Sequence, residues 1–165
     1  MAKVIITCGK ICSGKSFYSN IIKDELNAVV ISPDEATFDL INNEQGEFYN
    51  VFSERLNKYL TKKVGEIVKA GANVIFERGL WSRKDRKEVR EYFKNIGVEC
   101  ELHYVYVDDK TWMQNIAERN QSVLDGNGGS NFYLDEGLMK KHQSIWEEPT
   151  EEEIDVVYKV NRKSI

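Results

Sequence analysis

The sequence predicts an α/β protein built on a parallel β-sheet covered by helices on both sides. Three observations carry this expectation. Five short runs are rich in β-branched or aromatic residues, segments of helical period alternate with them, and the first run leads straight into a glycine-rich loop and an amphipathic segment. At 165 residues the chain is long enough for one substantial core and short for two, so a single domain over 1–165 is expected.

The strand runs are 3–8 (KVIITC), 28–32 (AVVIS), 73–77 (NVIFE), 100–107 (CELHYVYV) and 156–160 (VVYKV). After the glycine loop, Phe17, Ile21, Ile22 and Leu26 share one helical face. Phe52, Leu56, Tyr59, Leu60, Val64 and Ile67 mark a long helix ending near Gly71. Val89, Tyr92, Phe93 and Ile96 form a third stripe, opened by SRKD, where Ser82 caps and Asp85 reaches back, and closed by Gly97. Trp112, Met113 and Ile116 mark a fourth helix; Leu138, Met139, His142, Ile145 and Trp146 mark a fifth. Residues 120–133 lack periodicity and hold Gly126, Gly128 and Gly129, the pattern of a mobile loop between two helices rather than a domain boundary.

Apolar residues make up 41% and charged residues 30% of the chain, the balance of a soluble globular protein. No apolar run approaches the roughly 18 residues of a membrane span, and MAKVIITCG is too short for a secretory signal, so a cytoplasmic location is expected and no membrane partner. Cys8, Cys12 and Cys100 are odd in number and form no C-x-x-C pair, which favours reduced thiols over a disulfide or metal site. His103 and His142 stand alone and receive no role. The net charge of −4 supplies no basic field for nucleic acid. The acidic run EEPTEEEID (147–155) and the basic run RKDRKEVR (83–90) read as solvated faces.

The chemistry begins in GKICSGKS, Gly9 to Ser16. Gly9 and Gly14 let the chain curl so that successive N–H groups of Lys10, Ile11, Cys12 and Ser13 point inward at phosphate oxygens. The helix that starts near Lys15 and runs on through Phe17 adds its positive end. Lys15 is placed to reach the β- and γ-phosphates of a nucleoside triphosphate, and the Ser16 hydroxyl to complete a Mg²⁺ shell shared with them.

Ligands of an open parallel sheet lie beyond the carboxyl ends of its strands. There the second strand delivers Ser32-Pro33-Asp34, the third Glu77-Arg78 and the fourth Asp108-Asp109. A hydroxyl acceptor needs a carboxylate to take its proton, and Asp34 is the candidate; SPDE is equally a helix start, with Asp34 favoured by the dipole alone. Glu77 either orders a Mg²⁺-bound water or an acceptor, or pairs with a base such as Arg78. Asp108 and Asp109 read as helix caps. Arg119 precedes the glycine-rich stretch, where a hinged arginine would answer charge on a transferring phosphoryl group; its alternative is to satisfy a helix C-terminus.

These pieces together resemble the small P-loop kinases that group chloramphenicol phosphotransferases, zeta-type toxins and 5′-hydroxyl polynucleotide kinases. The matching segments are GKICSGKS, SPDE, VIFERGLWSRKDRKEVREYF, VECELHYVYVD, AERN and LMKKHQSIWEEPTEEE, which cover most of the chain in order. The resemblance implies a three-layer P-loop fold with five parallel strands in order 2-3-1-4-5, a short lid over about 119–133, and ATP with Mg²⁺. It implies Asp34 as general base, Arg119 as lid arginine, and Lys15 and Ser16 as phosphate and metal residues. Two positions depart from it: Asn115 stands where many relatives carry a further lid arginine, with Lys140 a nearby substitute, and Thr37 where polynucleotide kinases carry a phosphate-holding arginine.

The expected function is therefore ATP-dependent transfer of phosphate to a hydroxyl of a small molecule. Two alternatives stand beside it. A 5′-hydroxyl polynucleotide or nucleoside kinase would need a basic groove from Arg78, Arg83, Lys84 and Arg86. A nucleotide-gated module with slow hydrolysis would fit Asn115. Phe38, Phe48, Tyr49 and Trp81 are candidates for an apolar acceptor pocket, and Asn161 and Arg162 for contacts to the purine.

Overall fold

The computed structural model describes residues 1–42 and 46–161. The chain runs β1 (Lys3–Cys8), α1 (Lys15–Glu25), β2 (Ala28–Ile31), α2 (Pro33–Ile41), α3 (Tyr49–Lys69), β3 (Asn73–Phe76), α4 (Arg83–Asn95), β4 (Glu99–Tyr106), α5 (Asp109–Leu124), α6 (Glu136–Ile145), a 3-10 turn (Glu151–Glu153) and β5 (Val156–Lys159). The strands form one sheet in the order β2-β3-β1-β4-β5. Every neighbouring pair is parallel, with Ile5 opposite both Ile75 and Glu101, and helices lie on both faces.

Alternation along β1 explains how one strand serves two layers. Val4, Ile6 and Cys8 face the larger core with Val64 and Val68 of α3, Val89 and Phe93 of α4, and Val74, Phe76 and Leu102 of the flanking strands. Ile5 and Thr7 point to the other face and are equally buried. Burial on both faces is what a parallel sheet requires. A second cluster joins Ile11, Val107, Trp112, Ile116 and Leu134, with Cys12, Trp81 and Phe132 against it.

The acidic run is not wholly a solvated face. Arg86, 1% exposed, donates through Nε to Glu153 Oε1 at 2.9 Å and through Nη1 to the carbonyls of Leu80 and Glu147. Burial works against the Glu153 charge, but its bonds from Arg86 and Thr150 outweigh this and hold the carboxyl below its ordinary range. Arg90 adds a 2.9 Å bond to Asp155. The two charge runs of the sequence are thus partners that fix the 147–155 segment against α4.

The helix before the glycine-rich stretch is longer than its periodicity suggests. α5 continues to Leu124, so Arg119 lies within the helix rather than at its end. The Asn120 side chain both donates to Leu134 O and accepts from Leu134 N, at 3.0 and 2.7 Å, holding the returning chain alongside. That polar pairing replaces the apolar periodicity that would have announced the last turn. Ser32 and Glu77 lie just beyond their strands: Ser32 caps α2 by accepting from Glu35 N, and Glu77 begins the loop after β3.

Candidate active site

The loop between β1 and α1 closes tightly. A Cβ on Gly9 would sit 2.5 Å from Ser13 Oγ and 2.8 Å from Val105 O, and Gly14 takes φ 98°, open to glycine at little cost. Cys12 also adopts a left-handed backbone, φ 62°. Gly14 is the N-cap of α1 and offers no side-chain cap, so the first N–H groups of that helix keep their hydrogen-bonding capacity for a ligand. Lys15 Nζ donates to Gly9 O at 3.1 Å and Lys10 O at 2.8 Å. Burial lowers the Lys15 pKa, and the Asp34 carboxylate is the charge that most opposes this, ahead of Cys8, Cys12 and Glu77.

Ser16, one residue on, donates from Oγ to Glu77 Oε2 at 3.1 Å. Glu77 therefore meets the phosphate loop and not Arg78, whose Nη1 turns to Thr61 Oγ1 at 3.4 Å. Two hard oxygen donors side by side at the mouth of an anion loop fit a divalent cation such as Mg²⁺.

Asp34 lies exposed in the first turn of α2, after β2, with Pro33 at the helix start and Thr37 bonded back to Pro33 O at 2.7 Å. Thr37 is buried, so it presents no hydrogen-bonding group at the surface beside Asp34. Burial, and after it the Asp34 charge, raises the Tyr49 phenol pKa.

The arginine of α5 stands on the loop's other side. Arg119 stacks on the Phe132 ring at 4.9 Å, donates from Nε to Phe132 O at 3.3 Å, and brings Nη1 to 4.0 Å from Cys12 Sγ. Asn115 donates from Nδ2 to Cys12 O at 3.1 Å, so the residue in the place of a second arginine buttresses the loop backbone. Lys10 Nζ reaches Asp109 at 3.1 Å and lies 4.6 Å over the Trp112 ring. Asp108, as expected, caps α5 through Thr111 N.

Some sequence candidates fall elsewhere. Trp81 sits edge-on to His142, 4.5 Å between ring centroids, in the α5–α6 cluster, and Phe48 is 80% exposed, so these two do not share a pocket wall. Arg83, Lys84 and Arg86 do border one cleft of about 1000 Å³ beside α4. Arg86 is enclosed against Glu153, Arg78 is not part of the wall, and Glu91, Glu99, Glu147 and Glu152 share it, so the cleft is mixed in charge rather than basic. Arg162 lies outside the described residues. The sequence assigned no role to His103, which bonds Tyr18 Oη through Nδ1 at 2.8 Å and Glu101 through Nε2 at 3.0 Å, or to His142, whose place on the α6 stripe with Trp146 carries it in among the tryptophans.

A sheet in the order 2-3-1-4-5 with an uncapped glycine loop after its central strand defines the P-loop kinase fold. A family model described as an AAA domain matches residues 4–137, and the chain belongs to that family. Solved structures agree on the fold. A putative kinase from Chloroflexus aurantiacus superimposes with a TM-score of 0.70 at 15% identity, over 96% of this chain and 87% of that one. The APS kinase CysC of Mycobacterium tuberculosis, solved with AMPPNP and APS, gives 0.69 at 14% identity, over 98% and 90%. A chain of the PezAT toxin–antitoxin system of Streptococcus pneumoniae gives 0.65 at 16% identity, over 99% and 69%. A curated relative, a probable imidazolonepropionase from Dictyostelium discoideum, is 30% identical over 103 residues, which are 62% of this chain and 22% of that protein. The chain thus spans about a fifth of the length of that relative. Among the described residues no helix is long and apolar enough to cross a membrane.

Proposed function

We propose that the chain is an ATP-dependent phosphotransferase that moves the γ-phosphate to a hydroxyl of a small molecule. The observation that carries this is the convergence of Lys15, the Ser16–Glu77 pair and Asp34 at the carboxyl ends of adjacent strands β1, β3 and β2. The loop from Gly9 to Phe17 holds the triphosphate through backbone N–H groups and the start of α1. Lys15 leaves its carbonyl partners to neutralise the transferring group, and Arg119 does so from the lid side, about 119–133. Ser16 and Glu77 would hold Mg²⁺, which would offset phosphate charge when bound. Asp34 accepts the acceptor's hydroxyl proton as the acceptor oxygen bonds to the γ-phosphorus and the bond from that phosphorus to the β,γ-bridging oxygen breaks, with ADP as the leaving group.

An acceptor of small size is supported by the net charge of −4 and by the carboxylates that share the cleft of Arg83, Lys84 and Arg86, both of which disfavour a nucleic-acid groove. The test is Mg²⁺-dependent ATP consumption by wild type, Lys15→Ala and Asp34→Ala, with pools of hydroxyl-bearing metabolites or 5′-hydroxyl oligonucleotides. Stimulation by the metabolite pool, lost in both variants, is the expected result. Stimulation by oligonucleotides alone would move the chain to the polynucleotide kinases. Lys15-dependent nucleotide binding with no stimulation and no effect of Asp34 would make it a nucleotide-gated module instead.

A further inference from the structure

His142 is 1% exposed, and neither of its ring nitrogens has a hydrogen-bond partner among the described residues. Its surroundings are unusual: all three tryptophans of the chain surround it. Trp81 meets it edge-on at 4.5 Å, Trp146 stacks at 5.7 Å and Trp112 lies tilted at 5.9 Å. Burial, and then the charges of Lys15 and Lys10, hold the imidazole pKa down to about 4, so at neutral pH the ring carries one donor and one acceptor and no charge. A buried polar group with both positions unsatisfied is costly unless something occupies them.

His142 also lines a cleft of about 350 Å³ together with Lys10, Asp109, Trp112, Met113, Gln143 and Trp146. A water molecule takes roughly 30 Å³, so the cleft has room for a ring-sized ligand rather than a single bridging water. The one cation on its wall, Lys10, is already matched by Asp109 at 3.1 Å and by the Trp112 face. The cleft therefore selects neither anion nor cation. Two indoles and a thioether form its apolar walls, with the His142 imidazole and the Gln143 amide as its neutral polar groups.

We propose that this cleft binds a flat, uncharged small molecule that lies against the Trp146 ring and hydrogen-bonds to His142, whose enclosed ring nitrogens turn to meet it. The site lies apart from the acceptor position beside Asp34: Asp34 follows β2 and Trp112 follows β4, on opposite sides of β1. It holds whether or not the chain transfers phosphate. Lys10 belongs to both the cleft and the phosphate loop, so an occupant touches the nucleotide site from its outer side.

The probe is 4-hydroxybenzamide, with 4-hydroxycyclohexanecarboxamide as its non-planar counterpart. Because every tryptophan borders His142, intrinsic fluorescence reports the cage directly, and with only two histidines in the chain the ring ¹⁵N resonances of His142 are readily assigned. Saturable quenching by the planar probe, a shift of the His142 ring nitrogens, and at least tenfold weaker binding of the saturated analogue are expected. His142→Phe, which keeps the packing and removes both nitrogens, should weaken binding tenfold or more. Met113 is 60% exposed, so Met113→Arg places a guanidinium over the indoles without disturbing the core and should compete equally. No saturable change, equal binding of the two probes, or quenching without a ¹⁵N shift overturns the proposal, as does undiminished binding to folded variants. None of these readouts needs ATP turnover, so a failed kinase assay and a failed binding assay remain distinct.

Discussion

Ser16 Oγ donates to Glu77 Oε2 across 3.1 Å, tying the first turn of α1 to the residue that follows β3. The bond crosses between neighbouring strands at the phosphate loop, where a divalent cation would take both oxygens. If that is its purpose, Glu77→Gln should raise the Mg²⁺ concentration for half-maximal ATP consumption about tenfold with little loss of fold, and Ser16→Ala should do at least as much. Titrating Mg²⁺ at saturating ATP checks this. An unchanged Mg²⁺ requirement in Glu77→Gln would leave the carboxylate as a buttress of α1 only.

Gly9 is required for a steric reason. With Ser13 Oγ 2.5 Å and Val105 O 2.8 Å from where a Cβ would stand, Gly9→Ala must push the loop off the end of β4. Overpacking of this kind costs about 1–3 kcal/mol. Thermal melting should fall accordingly, and nucleotide affinity should drop by tenfold or more because the N–H groups no longer converge. Calorimetry with AMPPNP measures the second effect; unchanged affinity would show that the loop tolerates the shift.

Most of the framework was legible because it is written in local terms. The five apolar runs, the caps at Ser82 and Asp108, and the glycine loop each depend on residues a few positions apart. What escaped is written in contacts between distant segments. Arg86 reads as one more charge in a basic run until Glu153, far along the chain, folds back upon it. Trp81 reads as an acceptor-pocket aromatic until α6 brings His142 to its edge. The last turn of α5 is held by Asn120 bonding Leu134, a polar pairing that leaves no hydrophobic period to read.

Arg86 should be among the most sensitive positions for stability. Its guanidinium is fully enclosed and serves Glu153 together with the carbonyls of Leu80 and Glu147. Arg86→Met removes the cation while leaving a partly buried carboxylate and open carbonyls, and breaking a buried pair in this way costs about 3–5 kcal/mol. Chemical denaturation of Arg86→Met and of the double variant with Glu153→Gln tests the origin. The double variant should recover part of the loss, since it no longer strands the charge; equal losses would assign the effect to the carbonyl bonds alone.

His142 gives stability a pH dependence of definite sign. Above about pH 6.5 its ring is neutral in folded and unfolded chains alike and contributes nothing to the slope. Below that value the unfolded chain takes up a proton that the folded chain, with its imidazole held near 4 by burial and by Lys15 and Lys10, still refuses. Stability therefore falls as pH falls from 6.5 toward 4, by about 1.4 kcal/mol per unit at most. Near pH 5 this amounts to about 2 kcal/mol. Urea midpoints at pH 7.5 and pH 5 for wild type and His142→Phe isolate it, because the rest of the chain is the same in both. The wild type should lose more stability than the variant across that interval; parallel losses would mean that the ring accepts its proton as readily inside the fold as outside it.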